Sequence, residues 1–232
     1  MVKHDAVSNH ILGQLSAAEI APLKLEPVPL EFKETLYEQD RPIQWAHFPI
    51  SGVVSLVSEM DDTTLTVESG TVGREGMVGI PGFLGARKAP GRAFVQVAGA
   101  AFRTEMSVLG SVAHDNEKLS RILLLYTNAL MAMVAQSAAC NRAHPVEARM
   151  ARWLLLTHDR VRGDEFPLTQ EFIGQMLGVR RPAVNIAGRT LQSAGLIRYS
   201  RGKISILDRR GLERAACECY SIVTQQMLWV RG

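Results

Sequence analysis

Residues 168–204 read LTQEFIGQMLGVRRPAVNIAGRTLQSAGLIRYSRGKI, and the punctuation of this stretch decides how the chain is organised. Thr169 stands where a helix N-cap belongs, and Phe172, Ile173, Met176 and Leu177 form one apolar stripe. Gly178 supplies the permissive backbone that ends the helix. Pro182 suits the first turn of a second helix, where its missing N–H costs nothing. In that helix Val184, Ala187, Gly188 and Leu191 face inward, while Arg181, Asn185, Arg189 and Gln192 project the other way. Two short helices joined at a tight glycine turn make a helix-turn-helix. The chain then turns at Ala194-Gly195 into Leu196 to Tyr199 and, past Ser200 to Lys203, into Ile204 to Ile206, a β-hairpin with a basic tip.

The charge of the chain supports a polyanion partner for this segment. The formal net charge is +3, but it is segregated. Residues 1–140 hold 11 Lys+Arg and 15 Asp+Glu, a net of −4; residues 141–232 hold 15 and 8, a net of +7. A basic back half carrying a helix-turn-helix is the electrostatic footprint of a nucleic-acid binder. The double arginine before Pro182 marks the entry of a recognition helix, whose N-terminal end enters the major groove. There arginine pairs with guanine O6 and N7, and Asn185 is a candidate reader of adenine. Arg201 and Lys203 on the hairpin meet phosphates. The predicted DNA-contacting set is Thr169, Gln170, Arg180, Arg181, Ala183, Asn185, Arg189, Arg201 and Lys203.

Ahead of this segment the periodicity is different. Between residues 28 and 104 short β-type runs (FKETLY, IQWAHFPI, VVSLVS, TTLTVES, AFVQVAGAAFRT) are separated by turn signals at residues 39–42, at Ser51-Gly52, at Asp61-Asp62 and at Pro90-Gly91. That spacing predicts a sandwich or small barrel. Residues 107–141 then contain no proline and predict one long helix. In it Leu119, Ile122, Tyr126, Ala129 and Met133 repeat at intervals of three and four, the pattern of a coiled-coil seam. Apolar residues also fall off that seam, so the helix must bury two faces. We expect one face on the β domain and the other, the seam, on an identical helix of a second subunit. His144-Pro145 ends the helix.

These motifs in this order resemble the Crp/Fnr family of bacterial transcription regulators along essentially the whole chain. The resemblance is closest over residues 146–206. GREGMVGIPGFLG (residues 73–85) followed by GRAFVQVAG (residues 91–99) is similar to the family's cyclic-nucleotide-binding β-roll. The expected fold is therefore α+β, with a β-roll sensor domain at 1–106, a dimerisation helix at 107–143 and a winged helix-turn-helix at 144–232. The resemblance implies a homodimer on double-stranded DNA, reading a palindromic operator from two recognition helices about one DNA turn apart. For an activator it implies RNA polymerase as a further partner.

Two departures narrow what the resemblance implies. Family members that bind cyclic AMP place a Gly-Glu pair on the phosphate cassette and an Arg-Ser or Arg-Thr pair at the phosphate. Here the matching residues are Gly79, Ile80, Arg92 and Ala93, so the carboxylate and the hydroxyl are missing. A buried ribose hydroxyl facing Ile80 would lose a partner at a cost of roughly 1–3 kcal/mol, and ordinary cyclic AMP sensing is not expected. In the recognition helix Pro182 and Ile186 replace the Glu and the second Arg common in the family, so the operator should differ from the usual one.

No cofactor is expected. The family's iron–sulfur branch uses N-terminal cysteines, and none precedes Cys140. His47 and His114 leave haem sensing open. Cys140, Cys217 and Cys219 are too few and too odd for a disulfide framework, and Cys217-Glu-Cys219 alone lacks a tetrahedral ligand set. No metal site is therefore expected. The N-terminus lacks a secretory pattern and no run of 18 apolar residues occurs, so a cytoplasmic chain without a membrane span is expected. The rival functions are a cupin-like β-barrel metalloenzyme with an accessory helical domain, a cyclic-AMP-responsive regulator, and an interaction module that has lost DNA binding. The metalloenzyme would need paired His on a strand, and no such pair or other catalytic motif stands out.

Overall fold

The strand Trp45–Met60 (β3) is where the sequence signals and the structure first part. Ser51-Gly52, which resembles a turn between two strands, lies inside one strand of 16 residues. The register against the neighbouring strand shifts between Pro49 and Ser51, again before Val53, and again before Val54. These bulges bend the strand without ending it. Gly52 sits at φ +84° with a Cβ position 2.6 Å from the Val97 carbonyl oxygen, so only glycine fits the bend. The structure, a computed structural model, describes residues 8–60, 63–200 and 202–228, so the expected turn at Asp61-Asp62 lies outside the described residues.

Before β3 come a short helix Ala17–Ile20 (α1), closed by a Ser16/Glu19 capping box, and strands Glu26–Leu30 (β1) and Thr35–Tyr37 (β2). After it come Thr63–Val72 (β4), a one-turn helix Ile80–Phe83 (α2) and Arg92–Glu105 (β5). All pairing is antiparallel, in the order β1-β5-β3-β4, with β2 also on β5. The inner face packs Phe48, Val54, Val72, Val95 and Phe102 into the main core.

The expected single long helix is two. Met106–Asp115 (α3) stops at Asn116, whose side chain accepts from the Leu119 N–H at 3.0 Å and caps Glu117–Ala143 (α4). Asparagine is a strong cap, and a cap signal inside a periodic run marks a new start.

The seam of α4 expected to face a second subunit lies in the core of the protomer instead. Leu119, Ile122, Tyr126, Ala129 and Met133 are all buried inside the protomer. Tyr126 lies against Gly76, where any Cβ would collide with its ring. The free face carries Leu124, Leu125, Met131 and Val134, exposed by 53%, 46%, 67% and 37%. By length and a mean hydropathy of 1.5 the helix would be long and apolar enough to cross a membrane, but one face of it is core.

The C-terminal part runs through helix Val146–His158 (α5), strand Glu165–Pro167 (β6), helices Gln170–Leu177 (α6) and Arg181–Ser193 (α7), strands Ile197–Ser200 (β7) and Lys203–Ile206 (β8), and helices Arg209–Ala215 (α8) and Cys219–Leu228 (α9). β6, β8 and β7 form a small antiparallel sheet. This gives the α+β architecture expected: antiparallel β domain, long helix, winged helix-turn-helix. The last helix turns back, and Val223 and Met227 of α9 join the core of the β domain and α4.

The helix-turn-helix is docked on the β domain. Phe94 of β5 meets Phe172 of α6 edge-on at 5.8 Å, and Val57 and Phe94 belong to the core of the C-terminal part. Beneath them a polar chain crosses the junction. Trp153 donates to Glu68 Oε1 (2.7 Å), Ser55 Oγ lies 2.7 Å from Glu68 Oε2 and 2.8 Å from Gln96 Oε1, and Gln96 donates to Thr157 (3.0 Å). Ser55 has one hydrogen for two oxygens. Either Glu68 is protonated or the Gln96 amide is turned, and burial favours the proton, raising the Glu68 carboxyl from 4.5 to about 7.

A raised carboxyl destabilises as pH rises. Below 4.5 both folded and unfolded chains hold the proton; between 4.5 and about 7 only the folded chain does. Stability should therefore fall across that window by on the order of 3 kcal/mol, and level off above it. Glu68→Gln should flatten this slope in urea titrations over the same pH range. A wild-type slope unchanged by the substitution would mean that Glu68 is ionised where it is buried.

Candidate nucleic-acid interface

The helix-turn-helix is built as its punctuation indicates. Thr169 Oγ1 accepts the Phe172 N–H at 3.1 Å and starts α6. Gly178, at φ +62°, ends it, with the Val179 N–H returning to the Gly174 carbonyl at 2.9 Å. A Cβ on Gly174 would stand 2.9 Å from the Val179 carbonyl oxygen, so the absent side chain is what lets the turn close on α6. Arg180 is the N-cap residue of α7 in extended conformation, and Pro182 follows in its first turn. Val184, Ala187 and Leu191 are buried.

The opposite face of α7 is open. Arg180, Arg181, Pro182, Arg189 and Thr190 are exposed, and Ala183, Asn185 and Gly188 are half-buried. Gln170, Asn185 and Arg189 line one groove of about 300 Å³ between the start of α6, α7 and β7. Thr169 is exposed beside it, with its hydroxyl committed to the cap. Gln192 is exposed as expected, and its Oε1 accepts the Tyr199 N–H at 2.8 Å, tying α7 to the hairpin. Ile186 is 62% exposed on this face.

The hairpin has the predicted form, with Ser200 paired to Lys203 and Gly202 at φ +76°. Lys203 bonds Glu165 at 3.0 Å, with both side chains more than half exposed, an arrangement a phosphate can displace. Arg201 lies outside the described residues.

The predicted ligand residues divide. Gly79, Ile80 and Arg92 line one cavity of about 450 Å³ together with Tyr37, Leu56, Met77 and, from α4, Leu130, Met131 and Val134. Ala93 does not line it: its side chain is buried in the main core of β5. The reason is the period of the strand, which sends Arg92 and Ala93 to opposite faces. The Arg92 guanidinium pairs with Glu59 at 2.6 Å and lies 4.8 Å over the Phe94 ring. Its charge is already answered. His47 is buried and its ring is held neutral, down to about 4, by burial and then by Arg103; His114 is exposed on α3.

The cysteines correct a sequence expectation. Cys140 and His144, from the end of α4, lie beside Cys217 and Cys219, so the four side chains form one group. Sequence alone misses it because 77 positions separate Cys140 from Cys217. Among the described residues it is the one grouping of three or more Cys, His, Asp or Glu side chains around a common point, and it lies outside the β domain, where a cupin-like centre would need to be.

Residues 148–215 match the family model of the Crp-like helix-turn-helix domain. No curated protein matches the chain in sequence. Among solved structures the chain is similar to FixK2 from Bradyrhizobium japonicum, at 16% identity and a TM-score of 0.71 over 84% of this chain and 98% of that one. It is similar to a transcriptional regulator of the CRP family from Thermus thermophilus, at 22% identity and 0.68 over 82% and 96%. It is also similar to the c-di-GMP responsive global regulator CLP from Xanthomonas campestris, at 16% identity and 0.65 over 82% and 99%.

Proposed function

We propose that this chain, which carries a Crp-like helix-turn-helix domain on the fold of the Crp/Fnr regulators, is a sequence-specific transcription regulator that acts in the cytoplasm as a homodimer on a palindromic operator. The observation that carries the reading is the open N-terminal end of α7, where Arg180 and Arg181 stand exposed at the head of a helix whose other face is fully packed. Arg181 reads guanine, Asn185 and Arg189 read from the groove they share with Gln170, and Ile186 meets a thymine methyl. Lys203 leaves Glu165 for a phosphate. No residue is assigned a catalytic role.

The sensor cavity favours an effector other than cyclic AMP. It is mostly apolar, Ile80 stands where a ribose hydroxyl would need an acceptor, and Arg92 is paired with Glu59. A cyclic dinucleotide, to which the Xanthomonas protein responds, would bring two phosphates to the same single, already paired arginine. The cavity shares Met131 and Val134 with the free face of α4. A ligand there would touch the surface on which we place the second subunit, and that contact is the means by which the β-roll reports to the DNA-binding half.

Selection of sites from random duplex DNA, with and without cyclic mono- and dinucleotides, tests the proposal. The expected product is a palindrome recovered without added nucleotide. Arg181→Ala should cost about 1–3 kcal/mol on that site and relax selection at one base pair in each half-site. Lys203→Ala should weaken binding evenly across sequences and lower the salt slope by about one ion. Salt-sensitive binding that yields no motif under any condition would count against a sequence reader.

A further inference from the structure

We propose that Cys140, His144, Cys217 and Cys219 form a closed, tetrahedral Zn2+ site that fastens the end of α4 to the start of α9. The four ligand atoms lie within 4.8 Å of one another. A tetrahedral site with Zn–S of about 2.3 Å and Zn–N of about 2.0–2.1 Å has S–S edges of about 3.8 Å and S–N edges of about 3.6 Å. Cys140 Sγ and Cys217 Sγ are 3.5 Å apart, and Cys219 Sγ and His144 Nδ1 are 3.5 Å apart. Two opposite edges of the tetrahedron are thus close to their metal-bound lengths.

The surroundings fit an ion as well as the ligands do. His144 presents Nδ1 to the sulfurs while its Nε2 lies 3.2 Å from the Glu218 carboxylate. That partner fixes the tautomer that leaves Nδ1 free to bind a metal. The Gln136 amide donates to Cys219 Sγ at 3.0 Å, an outer hydrogen bond of the kind that orients a metal ligand. Three thiolates, a neutral imidazole and Zn2+ carry a net charge of −1. Two buried guanidinium groups, Arg149 and Arg152, lie within electrostatic reach of Cys140, and each has an Nε without a hydrogen-bond partner. Buried positive charge beside neutral thiols is costly, and beside an anionic zinc centre it is answered.

The softness of the set selects the metal. Three sulfurs and one imidazole in tetrahedral disposition suit Zn2+. Four protein ligands leave no open position, and Cys140 and Cys219 are almost wholly buried, so the centre is structural. His144 is the partly exposed corner and gives the ion its way in. The ligands flank the junction at His144-Pro145, with the end of α4 on one side and the link between α8 and α9 on the other. Zinc there holds the tail helix against α4 across the boundary.

The test uses the full chain without an affinity tag, purified under reductant from zinc-supplemented culture. The expected result is one zinc per chain by elemental mass spectrometry, surviving dialysis against a weak chelator and released in proportion as a mercurial titrates the thiols. Co2+ in its place should give sulfur-to-metal charge-transfer absorption and the intense d–d bands of a tetrahedral site. Cys219→Ser should lose both; Cys219→His, which keeps four donors, should retain the metal and shift the Co2+ spectrum. A wild-type chain that holds no zinc and gives no tetrahedral Co2+ spectrum overturns the proposal. So does a Cys219→Ser chain that keeps wild-type metal and spectrum, or a Cys140–Cys217 disulfide recovered under these reducing conditions.

Discussion

Leu124→Glu together with Met131→Glu should convert the proposed homodimer to monomers and lower its affinity for the proposed palindromic operator by about 10²–10⁴-fold. Both side chains are more than half exposed on α4 and neither belongs to the core cluster. Their positions belong to a stripe, 121, 124, 128, 131, 135, 138, whose three-and-four spacing is that of a helix seam. In a two-fold dimer each substitution enters the interface twice, once from each copy, so the pair removes both large apolar side chains of the stripe and brings in four carboxylates, more than the Arg121 of each copy can answer. Operator binding falls because the second recognition helix is no longer held at the spacing of the second half-site. Affinity for a single half-site should be nearly unchanged. Sedimentation equilibrium and titration of full and half sites make the measurement, with the thermal transition as the check that the fold is intact. A variant that stays dimeric with wild-type operator affinity would place the subunit contact elsewhere.

What was legible in the sequence was whatever is local. Thr169, Gly178 and Pro182 act on the backbone within a few residues, and the helix-turn-helix they predict is present. Asn116 was equally local, but its cap lies inside an apolar period that continues across it. Ser51-Gly52 has the composition of a turn, and only the pairing of both flanks with β5 makes it a bulge. The two faces of α4 could not be ranked from periodicity, because both are apolar. The bulkier one, with Leu119, Ile122, Tyr126 and Met133, fills the protomer core, and the one richer in alanine and asparagine is left outside. The cysteine group was illegible for the same kind of reason: half of it closes one helix and half opens another, and only tertiary packing brings them together.

The second large effect is expected at Arg160, which lies just past the end of α5 and is buried against the β domain. Its guanidinium meets Glu75 through Nε at 2.8 Å and Nη2 at 2.7 Å, donates to the Leu156 carbonyl at 2.6 Å, and is buried together with its partner. Glu75 also accepts the Gly73 N–H at 3.0 Å. Burial pushes this carboxyl up, but Arg160 and the backbone donors outweigh burial and hold it below the usual carboxylate range. Arg160→Met removes the cation and leaves the carboxylate buried, which should cost about 3–5 kcal/mol, or a fall in Tm of very roughly 6–20 °C at this chain length. Adding Glu75→Gln should restore most of the loss, since the charge left unanswered is then gone. The pH dependence gives a sharper reading. A depressed carboxyl contributes stability above its unfolded value that is lost as pH falls through the folded one. Without Arg160 burial dominates, the folded value rises above the unfolded one, and stability is lost as pH rises instead. Urea titrations of both proteins from about pH 4 to about pH 8 should therefore diverge, the deficit of Arg160→Met growing with pH. Arg160 also lowers the Glu68 carboxyl, so both proteins are compared in a Glu68→Gln background, where that titration is absent. A deficit that is constant over that range would mean that Glu75 is not the charge Arg160 answers, and that the arginine holds the two halves together by packing and its carbonyl contacts alone.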